Sequence, residues 1–185
     1  MTQTYDDLLQ AVDVGDEAAV QQWLSRNGVR PLPDAQAIIL PARSGHEAIV
    51  RLLLPVSDLK AGGSLALAVA ARNGHEAIVR LLLPVSDPKA SDSSALAWAA
   101  ESGHEAIVEI LIESSSAAEA WRALIQHEAW EGLDHLASYM PEEMVEAVLK
   151  KAPAEAMPRA LAHRLNQTLA KTLASAGGRS LKNRL

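Results

Sequence analysis

The sequence has no cysteine and no phenylalanine, and aromatic residues make up only 3% of its 185 positions. Without thiols there are no disulfides, no thiolate zinc sites and no cysteine nucleophile. A core without phenylalanine must be assembled from Leu, Ile, Val and a large complement of Ala. Alanine favours helix and disfavours strand, so closely packed short helices are expected. No apolar run approaches the roughly 18–20 residues that span a bilayer. Such runs are short, as at 48–50 and 52–56, which Arg51 separates. The opening stretch MTQTYDDLLQAVDVGDE has neither the basic nor the apolar region of a signal peptide, and the expected location is the cytoplasm.

What is present is ordinary for a globular chain: 49% hydrophobic and 22% charged residues, with a formal charge of −6. That charge is uneven. After Glu155 there are six basic residues and no acidic one, so the first 155 residues carry 11 Lys/Arg against 23 Asp/Glu, or −12. An acidic body does not suit phosphate contacts, so no nucleic-acid ligand is expected, and a basic protein partner is favoured. The basic C-terminal charges are spread too sparsely for a membrane patch.

The chain repeats itself. GHEAIVRLLLPVSD at 45–58 returns without change at 74–87, and GHEAIVEILI follows at 103–112. The three glycines are spaced 29 residues apart, and a degenerate copy, GDEAAVQQWL, sits at 15–24. The segments before each glycine also align: DLLQAV at 7–12, AIILPA at 37–42, ALAVAA at 66–71 and ALAWAA at 95–100. Each unit reads as helix, tight turn, second helix and polar loop. Ile78, Leu81 and Leu82 stand at helical spacing and, with Leu67 and Ala70, are expected to be buried between units. Pro55 and Pro84 should end the second helices. Gly45, Gly74 and Gly103 should take a positive φ and close the first.

The recurring A-L-A-x-A-A-x-x-G-H-E-A-I-V-x-L-L-L resembles the ankyrin repeat over roughly residues 4–113, with short, bacterial-type units. The resemblance implies an all-α solenoid of stacked helical hairpins with a helical C-terminal cap. The period falls about four residues short of the usual 33. The deficit lies in the loops, including Gly62-Gly63, so shortened loops with no paired strand are expected. The usual Thr-Pro-Leu-His opening is also replaced, by LALA at 65–68 and SALA at 94–97.

Beyond Glu113 the motif fades but helical patterns continue at 117–127, 130–139, 142–151 and 159–174. Ser114-Ser115-Ser116 reads as a loop and cap. The organisation expected is therefore repeats over 1–113, a helical cap over 114–176 and a flexible tail over 177–185.

Catalytic chemistry finds little support. His46, His75 and His104 each precede a glutamate, but a zinc-protease motif needs a second histidine four positions on, where Val50, Val79 and Val108 stand. Their repetition reads as packing, with each ring bonding backbone across its own turn. His127, Glu128, Glu131, Asp134 and His135 read as an amphipathic surface. No enzyme activity, cofactor, metal or small-molecule substrate is expected. Ankyrin arrays bind through positions that vary while the scaffold repeats. The two residues before each Gly-His differ between units, and the resemblance places them on the concave side. Arg43, Ser44, Arg72, Asn73, Glu101 and Ser102 are the candidate contacts, joined by the loop residues Lys60, Lys89 and Asp92. Trp98 occupies a slot held by Leu40 and Val69 in sister units, and reads as inter-repeat core or as an aromatic anchor. The function implied is a protein–protein interaction module, in its sharpest form an inhibitor or immunity protein neutralising a cognate bacterial toxin. The alternative is a regulatory or effector scaffold.

Overall fold

The glycines at 15, 45, 74 and 103 adopt φ values of 79°, 83°, 80° and 74°. Each closes one helix and turns the chain into the next, because only glycine enters the left-handed region without a Cβ penalty. The computed structural model describes residues 4–28, 32, 35–57, 59–126, 130–137 and 139. These form five hairpins: α1 (Tyr5–Val14) with α2 (Glu17–Asn27), α3 (Gln36–Ser44) with α4 (Glu47–Leu53), α5 (Leu59–Arg72) with α6 (Glu76–Leu82), α7 (Ala90–Glu101) with α8 (Glu105–Ile112), and α9 (Ala117–Gln126) with α10 (Trp130–Ala137). The helices expected at 142–151 and 159–174 and the tail at 177–185 lie outside the described residues.

Local chemistry sets the helix ends. Thr4 and Asp7 form a reciprocal capping box at the start of α1. The Asp16 side chain accepts from the Ala19 N–H at the start of α2. At Pro55 and Pro84 the second helices tighten into single 3₁₀ turns, 54–56 and 83–85, and stop. Ser116 accepts from the Glu119 N–H at the start of α9.

The first helices of the units, α1, α3, α5, α7 and α9, pack in sequence as an inner layer, and α2, α4, α6 and α8 form an outer one. Leu8, Ile38, Leu67 and Leu96 occupy one register position of the inner helices and are all fully buried. Beside them Ala66, Ala70, Ala71, Ala95, Ala99 and Ala100 are buried too, and their small side chains let neighbouring inner helices approach closely. The chain is all-α among the described residues, with no strand.

Two expectations are corrected. Leu81 is only half-buried: the buried stripe of α6 is Ile78, Val79 and Leu82, one position round from that expected. Gly62 and Gly63 are not in a loop but inside α5, and both are buried. Gly62 lies against Ala35 so closely that an added Cβ would sit 2.1 Å from the Ala35 Cβ. Glycine is unfavourable inside a helix, and this contact is the reason it stands there. The missing loop residues thus leave α5 and α7 longer than α1 and α3.

Candidate functional site

The turn that ends each inner helix is held by the following unit. The His75 Nε2 lies 2.9 Å from the Arg43 carbonyl oxygen, and the His104 Nε2 lies 3.0 Å from that of Arg72. A carbonyl only accepts, so Nε2 carries the proton and donates. The histidines therefore reach back into the preceding unit rather than across their own turns. Each ring also covers the preceding glycine. A Cβ on Gly45 would meet the His75 Cε1 at 2.7 Å, and one on Gly74 would meet the His104 Cε1 at 2.7 Å. The same relation holds between Gly15 and His46.

The ladder continues where the repeat motif has faded. His135, on α10, places its Cε1 3.5 Å from a Cβ built on Gly103, and its Nδ1 donates to the Ala100 carbonyl at 2.9 Å. A different ring nitrogen and a position inside a helix give a similar hold, on the carbonyl one residue earlier relative to the glycine. No spacing marks it in the sequence, since no Gly-His precedes α10. This helix packs on the inner helices α7 and α9, and Gly132 makes the approach possible: a Cβ there would lie 2.9 Å from the Glu101 Cα and N. Among the described residues no three His, Asp or Glu side chains gather into a metal-holding group. His127 and Glu128 lie outside those residues, as do the side chains of Glu131 and Asp134.

Two of the candidate contacts, Arg43 and Arg72, are the residues whose carbonyls His75 and His104 hold. Arg43, Ser44, Arg72, Asn73, Glu101 and Ser102 are all exposed. Asp13 precedes them in the same register, so the row reads acid, base, base, acid along the stack. Arg43 turns back to Asp13, with Nη2 and Oδ1 3.9 Å apart. Arg72 turns forward, its guanidinium carbon 5.6 Å from the centroid of the Trp98 ring. The Asn73 side chain donates to the Val69 carbonyl at 2.7 Å.

Trp98 is half-buried against the core, as are Leu40 and Val69 at the same slot. Both readings of Trp98 meet in one side chain: one part packs, another faces the row. One helical turn before Val69 on that face stands Leu65, 47% exposed and outside the variable pairs that mark the row. Val14, beside Asp13, is 70% exposed. The signal for Leu65 was an apolar residue at a slot that holds Gln36 and Ser94 in sister units.

Lys60, Lys89 and Asp92 stand elsewhere. They lie at or before the N-terminal turns of α5 and α7, roughly a helix length of 15–20 Å from Arg72 and Glu101 at the C-terminal ends. Lys89 is exposed, and its N–H donates to Asp87; the side chains of Lys60 and Asp92 lie outside the described residues. Among the described residues no helix is long and apolar enough to cross a membrane.

No curated protein matches the chain closely enough to count as a relative. A family model described as ankyrin repeats in three copies matches residues 8–92 and again 62–123, and so spans most of the sequence. With the repeated hairpins and positive-φ glycines, that match places the chain in the ankyrin-repeat family.

Proposed function

We propose that this protein is a non-enzymatic, cytoplasmic binding module whose working surface is the row of side chains at the C-terminal ends of the inner helices. Ankyrin repeats bind other proteins, and the present units differ from one another where that row is exposed. The observation that carries the reading is the histidine ladder beneath it. His75 and His104 fix the backbone at Arg43 and Arg72, so variable side chains stand on an invariant support. Residues 1–113 carry this surface, and α9 and α10 close the described end of the stack. Lys60, Lys89 and Asp92 extend the contact toward the opposite ends of the helices. The body's charge of −12 favours a partner that is basic overall. The sharpest form of the reading is an inhibitor that neutralises a cognate bacterial toxin.

A pull-down from the native cell identifies the partner, and co-expression then asks whether this chain relieves its toxicity. Arg72→Glu and Glu101→Lys should each weaken partner binding by about 1–3 kcal/mol while moving folding stability by no more than about 0.5 kcal/mol. Glu109→Lys, exposed on the outer helix α8, is the control and should leave affinity unchanged. Loss of binding in the control alone would place the working surface on the outer layer.

A further inference from the structure

Of the four arginines of the second and third hairpins, Arg43, Arg51, Arg72 and Arg80, three face a carboxylate and one does not. Arg51 and Arg80 are held by Glu47 and Glu76 on their own helices, at 2.6 and 2.9 Å, and Arg43 faces Asp13 across one unit. The equivalent partner of Arg72 in the next unit is Glu101. Arg72 instead lies over the Trp98 ring, and among the described residues no carboxylate is within ion-pair distance of it. The ring holds the guanidinium beside it by a cation–π contact, 5.6 Å from its centroid. The N–H donors around its rim remain free, in the fork geometry that matches a carboxylate bidentately. An apolar surface lies beside it, with exposed Leu65, which only this unit carries, and half-buried Val69 on the same face of α5 as Arg72. Asp13 offsets Arg43 at one end of the row and Glu101 is negative at the other, so Arg72 is the position whose positive charge is uncompensated.

We infer that Arg72, seated on Trp98, receives the carboxylate of an Asp or Glu side chain on the protein partner, with an aliphatic side chain of the same partner resting on Leu65 and Val69. This rests on the binding role proposed above and names what its centre recognises. A partner basic overall carries an acid at this one point, in complement to a row that is itself negative at both ends.

The test is selection of random peptides displayed on phage against the full chain, in parallel with Arg72→Gln, Arg72→Lys, Trp98→Leu, Glu101→Lys and Glu109→Lys. The wild-type pool should be enriched in Asp or Glu next to Leu, Ile or Val. A selected peptide should bind Arg72→Gln about ten-fold more weakly. Replacing its acid with the amide should cost the same factor, and the two changes together little more, since they remove one interaction. Arg72→Lys should recover only part of the binding, because an ammonium has no planar fork to stack on the indole. Trp98→Leu introduces the residue found at position 40 and should weaken the same peptides. A pool no richer in acids than the starting library, including one in which nothing is selected, overturns the inference. So does an acidic pool that binds Arg72→Gln equally well. Peptides lost with Glu101→Lys but free of acids and indifferent to Arg72 overturn this inference and leave the proposed face intact. Peptides lost only with Glu109→Lys overturn both.

Discussion

Residues 45–58 and 74–87 have the same fourteen-residue sequence but different neighbours. Their centres behave alike. Both glycines take a positive φ near 80°, both second helices run seven residues, and both end in a 3₁₀ turn at proline. Their exits differ. Val56 is 5% exposed and its carbonyl accepts from the Leu32 N–H, whereas Val85 is 42% exposed. The Ser57 hydroxyl donates to the Leu53 carbonyl, while the Ser86 hydroxyl is buried without a partner among the described residues. Their entrances differ as well, in that Arg43 meets Asp13 and Arg72 meets Trp98. A repeated segment thus dictates its own helix and turn, and the adjoining units dictate its edges. Both the candidate contacts and the unsatisfied hydroxyl belong to the edges.

Paired substitutions test this division. The largest effect is expected at the centres. Leu53 and Leu82 are fully buried, so Leu53→Ala and Leu82→Ala should each cost about 2–5 kcal/mol in chemical denaturation, and the two values should agree within about 0.5 kcal/mol. A wide gap between them would mean that packing in the outer layer is as dependent on neighbours as the edges are. Gly45→Ala and Gly74→Ala come next, at about 2–4 kcal/mol each. Each forces alanine into a left-handed turn and drives its Cβ against a histidine ring held by its own hydrogen bond. Equal losses by thermal unfolding would confirm that the ladder is uniform along the stack.

The same division explains how much of the molecule was legible in its sequence. The glycine turns and proline stops could be read because each depends on one residue's backbone chemistry. The repeat spacing delivered the fold through its resemblance to a family. What failed to show depended on a neighbouring unit. Gly62 looks like a loop residue until Ala35 is set against it. His75 looks like a local cap, yet its acceptor stands 32 residues back. His135 carries no motif at all, and only the position of α10 over Gly103 reveals that it repeats the role of His104. Of the candidate site, the exposed row was legible as variation at fixed register. The stacking of Arg72 on Trp98 was not, because the equivalent residue to pair with was Glu101.

Val56 and Val85 reverse the pattern, since here the identical residues should behave differently. Val56→Ala removes two buried methyl groups and should cost about 1–2 kcal/mol. Val85→Ala, at an exposed position, should change stability by less than about 0.5 kcal/mol. Equal effects would show that burying the Val56 side chain adds nothing to the stack, and the asymmetry between the two exits would lose its energetic meaning.

The smallest effect sharpens the comparison most, because it probes the outer surface, where the two segments should be indistinguishable. Arg51 pairs with Glu47 and Arg80 with Glu76, each four residues apart on its own helix, with the arginine side chains 60% and 61% exposed. The glutamate precedes the arginine, the favourable order with respect to the helix dipole, and the carboxylate lies in the first turn. Water screens both pairs, so Arg51→Ala and Arg80→Ala should each cost only about 0.3–0.5 kcal/mol at low salt. In about 1 M salt, where the screening length falls to roughly 3 Å, most of that cost should disappear. The natural comparison is the fourth unit, where Glu109 stands four residues after Glu105 and two like charges share the helix face. Glu109→Arg recreates the pair and should stabilise the fold by a similar few tenths of a kcal/mol, again only at low salt. If Arg51 and Arg80 differ, or if the Glu109→Arg gain survives high salt, the outer face is coupled to its neighbours after all, and the separation of a self-determined centre from neighbour-determined edges fails at the place where it should hold best.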